Sequence, residues 1–94
     1  MKNYEWKSSL SEYIRKYIEL RKASGLKFSR QEVLFQRFDR FHFYGGYQGT
    51  EITREMAREF IYVKGESPNS WRAKEVLLRD FGTYIVILLK NGRQ

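Results

Sequence analysis

The chain has 94 residues, and its 18 lysines and arginines against 11 aspartates and glutamates give a net charge of +7. This length allows one modest hydrophobic core with little room for a large catalytic cleft, and the lack of cysteine excludes disulfides and Cys-ligated metal sites. Because His42 is the single histidine, we expect no metal and no cofactor. No apolar run approaches the ~20 residues of a membrane span, and the N-terminus lacks the apolar stretch of a signal peptide. We therefore expect no membrane partner and a cytoplasmic protein.

The first predicted helix spans residues 10–24. Ser9 and Glu12 form a Ser-x-x-Glu capping box, in which each side chain would satisfy a free backbone N–H at the helix start. Gly25 is suited to the left-handed position that ends a helix. The apolar residues recur at helical spacing and form one stripe, made of Leu10, Tyr13, Ile14, Tyr17 and Ile18.

The second predicted helix spans residues 30–44. Ser29 and Glu32 repeat the capping box, and Gly45 and Gly46 end the helix. Its core stripe consists of Leu34, Phe38 and Phe41, with Phe35 beside it.

The third predicted helix is short, residues 54–63, with Thr53 as its N-cap and Gly65 after its end. Residues 51–66 carry three basic and four acidic side chains, so this segment is net acidic at −1. The excess positive charge of the chain therefore lies on the other three helices.

The fourth predicted helix spans residues 68–90. Ser67 provides a cap, and Pro68 follows at the first helical position, where its missing N–H costs nothing. Gly92 is a plausible stop. The β-branched run at residues 84–89 also suits a buried strand, but we assign it to the helix because the apolar stripe continues into it and no partner strand exists.

These four segments predict an all-α fold, a compact bundle of four or five helices. The chain has one proline and no alternating strand pattern, which also favours helices. We expect a single domain over residues 1–94, since no linker or low-complexity stretch interrupts the sequence.

Polar and basic residues gather at the starts of two predicted helices. A helix N-terminus presents free N–H groups and partial positive charge, which suit phosphate oxygens, and Asn and Arg can pair with base edges in a major groove. The residues concerned are Lys27, Ser29 and Arg30 at the second helix, and Asn69, Ser70, Arg72 and Lys74 at the fourth. The alternative is that they only cap helices and keep the surface solvated.

Enzymatic motifs are missing from the sequence. It has no Gly-rich phosphate loop and no Ser/His/Asp set, and we expect His42 to be a partly buried ring at a helix end. The carboxylates of the third helix alternate with arginines, which is typical of a solvated, salt-bridged face. Three tyrosines lie off the core stripes and are the only candidates for stacking on bases: Tyr44, Tyr47 and Tyr62.

A series of short motifs runs through residues 8–92 in a fixed order. They are Leu10-x-x-Tyr13-Ile14, Arg21-x-x-x-Gly25-Leu26 leading to Ser29, Leu34-x-x-Phe38-x-x-Phe41, Ile52-Thr53-x-x-x-Ala57-x-x-Phe60-Ile61, Ser70-x-x-x-Lys74 and Leu78-x-x-Phe81-x-x-Tyr84. In order and spacing they resemble the N-terminal core-binding domain of tyrosine recombinases, the phage-integrase family. That resemblance implies a SAM-like helical bundle that clamps one side of double-stranded DNA at a recombination site.

The resemblance also implies which residues contact DNA, because the second and fourth helices of such domains approach the major groove. By position these are Lys27, Ser29, Arg30, Arg37, Asn69, Ser70, Arg72, Lys74 and Arg79. The catalytic residues of the family belong to a C-terminal domain, so none of the tyrosines here receives a catalytic role and we expect this chain not to be an enzyme by itself. A linker to that domain would begin at residues 91–94, which implies a fragment of a longer DNA integration or recombination protein.

Two apolar residues of the fourth helix, Val86 and Leu89, lie off its core stripe. If they are exposed, they form a candidate contact for the catalytic domain of the same chain or for other recombinase protomers on DNA. The alternative is a terminal helix that is buried on most sides.

Two other functions remain open. A stand-alone helix-turn-helix regulator would use residues 54–63 and 68–81 as its two helices, although the acidic third helix disfavours it. A helical protein-interaction module without a nucleic-acid role would use the apolar end at residues 84–89.

Overall fold

The computed structural model describes residues 4–91. These residues form four α-helices, which are α1 (Ser11–Ala23), α2 (Ser29–Tyr44), α3 (Arg54–Ile61) and α4 (Pro68–Asn91). Within the described range there is no strand, and the run 84–89 is helical, so the all-α class with four helices is confirmed. None of these helices is both long and apolar enough to span a membrane.

The chain divides into two compact units, Met1–Thr50 and Glu51–Gln94. The first unit contains α1 and α2, and the second contains α3 and α4. By sequence, the first unit carries ten basic and five acidic residues, and the second carries eight and six. Most of the net positive charge therefore belongs to the first unit.

Aromatic rings make up much of the core of the first unit. Tyr17 of α1 lies edge-on to Phe28 and Phe35, with ring centroids 6.2 and 5.8 Å apart. The guanidinium of Arg21 lies 5.9 Å from the Tyr17 centroid and 6.0 Å from that of Phe28, so it covers the cluster as a cation–π contact. The other buried apolar residues of this unit are Leu10, Ile14, Ile18 and Phe38.

The start of α1 is organised by Ser8, so the predicted Ser9 capping box is wrong. The Ser8 hydroxyl accepts a hydrogen bond from the Leu10 N–H at 3.1 Å, and the Ser8 carbonyl accepts one from the Ser11 N–H at 3.0 Å. The Ser9 hydroxyl instead donates to the Gly49 carbonyl at 2.7 Å. A turn from Ser8 to Ser11 therefore precedes the helix and shifts the cap by one residue.

A buried carboxylate, that of Asp39 on α2, holds this turn in place. It accepts hydrogen bonds from the backbone N–H groups of Lys7 at 2.9 Å and Ser8 at 3.0 Å, and from the Tyr4 hydroxyl at 2.8 Å. Burial, together with this bond to Asp39, raises the pKa of Tyr4 to about 12. Three donors compensate the carboxylate for its lost hydration, as burial of a charge requires.

The second predicted capping box is also wrong. α2 begins at Ser29 with Phe28 at the N-cap and no side-chain cap, and Glu32 forms an ion pair with Lys22 at 2.8 Å. Phe28 is 8 % exposed. Burying a Phe ring is worth about 1.5–3 kcal/mol and a cap about 1 kcal/mol, so packing of Phe28 decides where the helix begins.

Two glycines end α2, as predicted. Gly46 has a φ of 79°, and the N–H groups of Gly46 and Tyr47 bond the carbonyls of Phe43 and His42 at 3.2 and 3.1 Å. These two bonds form a Schellman motif. A Cβ on Gly45 would lie 2.8 Å from the Phe41 carbonyl oxygen and from the Tyr47 ring, so this position also requires glycine.

In the second unit α3 packs against α4. Thr53 caps α3 as predicted, accepting from the Met56 N–H at 3.1 Å, and the Ser67 hydroxyl accepts from the Ser70 N–H at 3.3 Å beside Pro68. The helix α3 ends at Ile61, two residues earlier than predicted. The predicted stop at Gly92 lies outside the described residues. The buried apolar residues are Met56, Phe60, Ile61, Leu77, Leu78, Phe81 and Ile85.

His42 is fully buried near the end of α2, where the sequence predicted a partly buried ring. Its ring lies 6.1 Å from that of Phe38 and 5.6 Å from that of Tyr47, and neither of its nitrogens has a hydrogen-bond partner among the described residues. Burial lowers the pKa of His42 below its ordinary value of 6.5, against the weaker opposing attraction of Asp39. The native state therefore favours the neutral imidazole.

Two glycine substitutions should change stability in opposite directions. Gly82→Ala places its methyl in open space within α4 and should stabilise the protein by about 0.5–1 kcal/mol, because glycine is a poor helix former. Gly45→Ala should destabilise it by about 1–3 kcal/mol through overpacking against Tyr47. Urea denaturation followed by circular dichroism measures both, and a neutral Gly45→Ala would contradict the packing described.

Acid should destabilise the protein through His42. The unfolded chain binds a proton near pH 6.5 and the folded chain only at lower pH, so stability is complete above about 6.5 and is lost as pH falls below it, by at most about 1.4 kcal/mol per pH unit. Thermal melts between pH 7 and 5 should show this slope. His42→Phe removes the titrating group, and an unchanged slope in that variant would assign the effect to other residues.

Candidate nucleic-acid interface

Three arginines form one exposed face of α2. Arg30, Arg37 and Arg40 are all exposed, and at 100° per residue they lie within an arc of about 80° around the helix. From Arg30 to Arg40 the row extends about 15 Å along the helix axis. Among residues 4–91 no carboxylate lies within ion-pair distance of any of the three.

The two acidic residues of α2 lie away from this arginine face. Asp39 is buried beneath the turn at Ser8, and Glu32 is paired with Lys22 of α1. Val33 and Tyr44 share the face and carry no charge. The arginine face is therefore a positive surface, and both carboxylates of α2 are bound to other groups.

Arg40 was not among the predicted contacts. Its guanidinium carbon lies 5.4 Å from the centroid of the Tyr4 ring, a cation–π contact that limits the motion of the side chain. The signal in the sequence was the spacing of Arg30, Arg37 and Arg40 at i, i+7 and i+10, which is one face of a helix.

The remaining candidates of the first unit lie at the start of α2. Lys27 is exposed in the turn before the helix, and Ser29 is the exposed first helical residue with no capping bond. Lys27 has no ion-pair partner within the described part of the chain. Both precede Arg30 closely in the sequence, at the N-terminal end of the arginine face, and their contact with DNA stays a prediction.

Four of the five candidates of the second unit are exposed, all except Lys74, and one of the exposed four lies beside a carboxylate. Asn69, Ser70 and Arg72 lie in the first turns of α4, and the Ser70 hydroxyl lies 3.4 Å from that of Ser67. Arg79 lies 3.5 Å from its neighbour Asp80. Arg72 alone among these cations is without an ion pair in the described residues.

Lys74 must be withdrawn from the set of DNA contacts, because it is a core residue. Its side chain is 3 % exposed and forms an ion pair with Glu66 at 2.6 Å. Its ammonium donates to the Phe60 carbonyl at 2.9 Å and lies 4.9 Å from the Phe60 ring centroid. The helical spacing explains this position, since Lys74 shares the inner face of α4 with Leu78 and Phe81.

An open groove of about 710 Å³ lies in the second unit beside α3 and α4. Three carboxylates and two guanidiniums line it, from Glu51, Glu55, Glu75, Arg54 and Arg79. This lining carries no net positive charge and does not suit a polyanion. No group of residues in 4–91 has the composition of a metal site.

Val86 and Leu89 are exposed, at 63 % and 38 %, and Ile87 between them is 54 % exposed. The alternative of a terminal helix buried on most sides therefore does not hold within the described residues. The end of α4 presents an apolar surface.

No family model, curated protein or solved structure matches this chain. The resemblance to recombinase core-binding domains accordingly remains a prediction that depends on the sequence motifs.

The burial of Lys74 gives a stability prediction. Lys74→Met should destabilise the protein by about 1–3 kcal/mol, because the Phe60 carbonyl and the Glu66 carboxylate lose their partner, with the loss at Glu66 moderated by its partial exposure. The double variant Lys74→Met/Glu66→Gln should recover part of that loss. Chemical denaturation measures both, and a single variant as stable as the parent would show that the pair contributes nothing.

Proposed function

We propose that this chain binds double-stranded DNA through the arginine face of α2, as a non-catalytic core-binding domain of a tyrosine recombinase. The observation that supports this most is the row formed by Arg30, Arg37 and Arg40, exposed and without ion-pair partners among residues 4–91. The row offers three positive charges along one side of the helix to a phosphate backbone. The serial motifs of the sequence supply the recombinase part of the proposal.

The energetics of such binding are electrostatic. Each phosphate neutralised by an arginine releases condensed counterions, so affinity falls steeply with salt. An α-helix about 10–12 Å wide also fits the major groove of B-DNA, where arginine can donate two hydrogen bonds to guanine. Phosphate contacts then position the helix, and any base contact from its centre gives sequence preference.

The second unit contributes less to DNA binding in this proposal. Arg72 adds one cation without an ion pair, whereas Arg79 is close to Asp80 and Lys74 is buried. The buried Lys74 explains why the basic composition of α4 overstates the charge available to a phosphate.

The apolar end of α4 supports a second candidate function, contact with another protein chain or domain. Val86, Ile87 and Leu89 are exposed together. In the recombinase proposal this surface meets the catalytic domain of the same chain or a neighbouring protomer on DNA. In the alternative, it is the contact of a protein-interaction module without DNA.

Arginine removal on α2 should weaken DNA binding. In fluorescence-anisotropy titrations with a 20-bp duplex, Arg30→Ala/Arg37→Ala should lower affinity at least tenfold and reduce the slope of log affinity against log salt by about 2, because two phosphate contacts are lost. The matched control is Arg54→Ala/Arg58→Ala, which removes the same charge from α3, in the net acidic segment 51–66. Equal losses in the two variants, or no binding by the parent at low salt, would contradict the proposal.

A further inference from the structure

Two aromatic rings are exposed at the C-terminal end of α2. The side chain of Tyr44 is 69 % exposed and that of Phe43 46 %, and their rings meet edge to face with centroids 5.1 Å apart. Every other Phe, Tyr or Trp ring among residues 4–50 is buried or half-buried. The exposed pair therefore lacks the stabilisation that burial gives an aromatic side chain.

Tyr44 stands at the end of the arginine face. It follows Arg40 by four residues and Arg37 by seven, so its ring shares their side of the helix, about 6 Å along the axis from Arg40. Phe43 projects about 100° away from Tyr44 around the helix axis. The Lys7 ammonium already lies 5.9 Å from the centroid of the Phe43 ring. Tyr44 is therefore the ring that a nucleic acid on the arginine face would meet.

The backbone below Tyr44 is held in a single geometry. The Schellman bonds from Gly46 and Tyr47 end the helix directly after it, and Tyr47 folds back so that its ring lies 5.6 Å from those of Phe41 and His42. A helix end held by these bonds limits the ordering cost of binding to the side chain of Tyr44 itself.

We infer that Tyr44 is a base-stacking residue, which contacts an unpaired nucleotide adjoining the duplex bound by the arginine face. This inference rests on the proposed DNA binding and extends it to the class of substrate, which is duplex DNA next to unpaired bases. A row of cations that ends in an exposed ring has both components of single-strand recognition, charge for the backbone and a π-face for the base. Stacking tolerates any base, so the contact recognises an unpaired state rather than a sequence.

In the second unit the exposed ring of Tyr62 packs edge-on against the half-buried Trp71. The Tyr62 hydroxyl donates to the Glu75 carboxylate, and the Trp71 N–H donates to the Val63 carbonyl. A carboxylate at that position repels phosphate, so Tyr62 serves as the control residue.

The test compares three labelled ligands that differ only at one end: a blunt 20-bp duplex, the same duplex with a three-nucleotide overhang, and the duplex with an overhang of abasic nucleotides. Abasic nucleotides keep the phosphates and remove the bases. The parent chain should bind the base-bearing overhang about five- to a hundredfold more tightly than the abasic one, as expected for stacking of one base.

Variants of the full 94-residue chain assign this preference to the ring. Tyr44→Ala and Tyr44→Leu should abolish the difference between the two overhangs, whereas Tyr44→Trp and Tyr62→Ala should retain it. Circular dichroism verifies that each variant remains helical, and the exposure of Tyr44 makes unfolding unexpected.

The outcomes separate the inference from the function it rests on. Equal affinity of the parent for both overhangs, with salt-dependent binding to the blunt duplex, would overturn the stacking role and leave the duplex proposal standing. Persistence of the preference in Tyr44→Ala would overturn it in the same way. Absence of binding to all three ligands would overturn both.

Discussion

The first unit depends on one buried carboxylate. Asp39 joins α2 to a segment more than 30 residues earlier in the chain, through the backbone N–H groups of Lys7 and Ser8 and the hydroxyl of Tyr4. If these donors were absent, the free energy of removing the Asp39 carboxylate from water would not be compensated. The same bonds fix the turn that starts α1, so the position of a helix start is decided by a residue of another helix.

Burial of Asp39 also shapes the surface. The helix α2 contains two acidic residues, and one is turned inward while the other, Glu32, is paired with α1. The charged residues on the exposed side of α2 are therefore arginines. In the second unit the opposite charge is buried, since Lys74 is enclosed by Glu66 and Phe60, and this removes a cation from a helix that is basic by composition.

The sequence predicted the helices better than their starts or their surfaces. Apolar spacing identified all four helices, and caps that depend on one local hydroxyl, at Thr53 and Ser67, were predicted correctly. The caps at Ser9 and Ser29 were wrong because tertiary contacts, the bonds to Asp39 and the packing of Phe28, outweigh a local pattern of about 1 kcal/mol. Lys74 was misplaced for the same reason: a cation at a core position needs partners from distant residues, which spacing alone does not reveal.

The arginine face and the hydrogen bonds to Asp39 differ in the sequence separation of the residues that form them. The arginine face belongs to α2 alone and exists as soon as that helix forms, whereas the bonds to Asp39 require closure of a loop of more than 30 residues, which carries an entropic cost. The alignment of the three arginines therefore precedes the burial of Asp39 and the pairing of Glu32, which complete the positive surface. A polyanion that relieves repulsion among the arginines would favour the helical form of residues 29–44 even in a partly folded chain. Binding can therefore precede or follow the completion of folding.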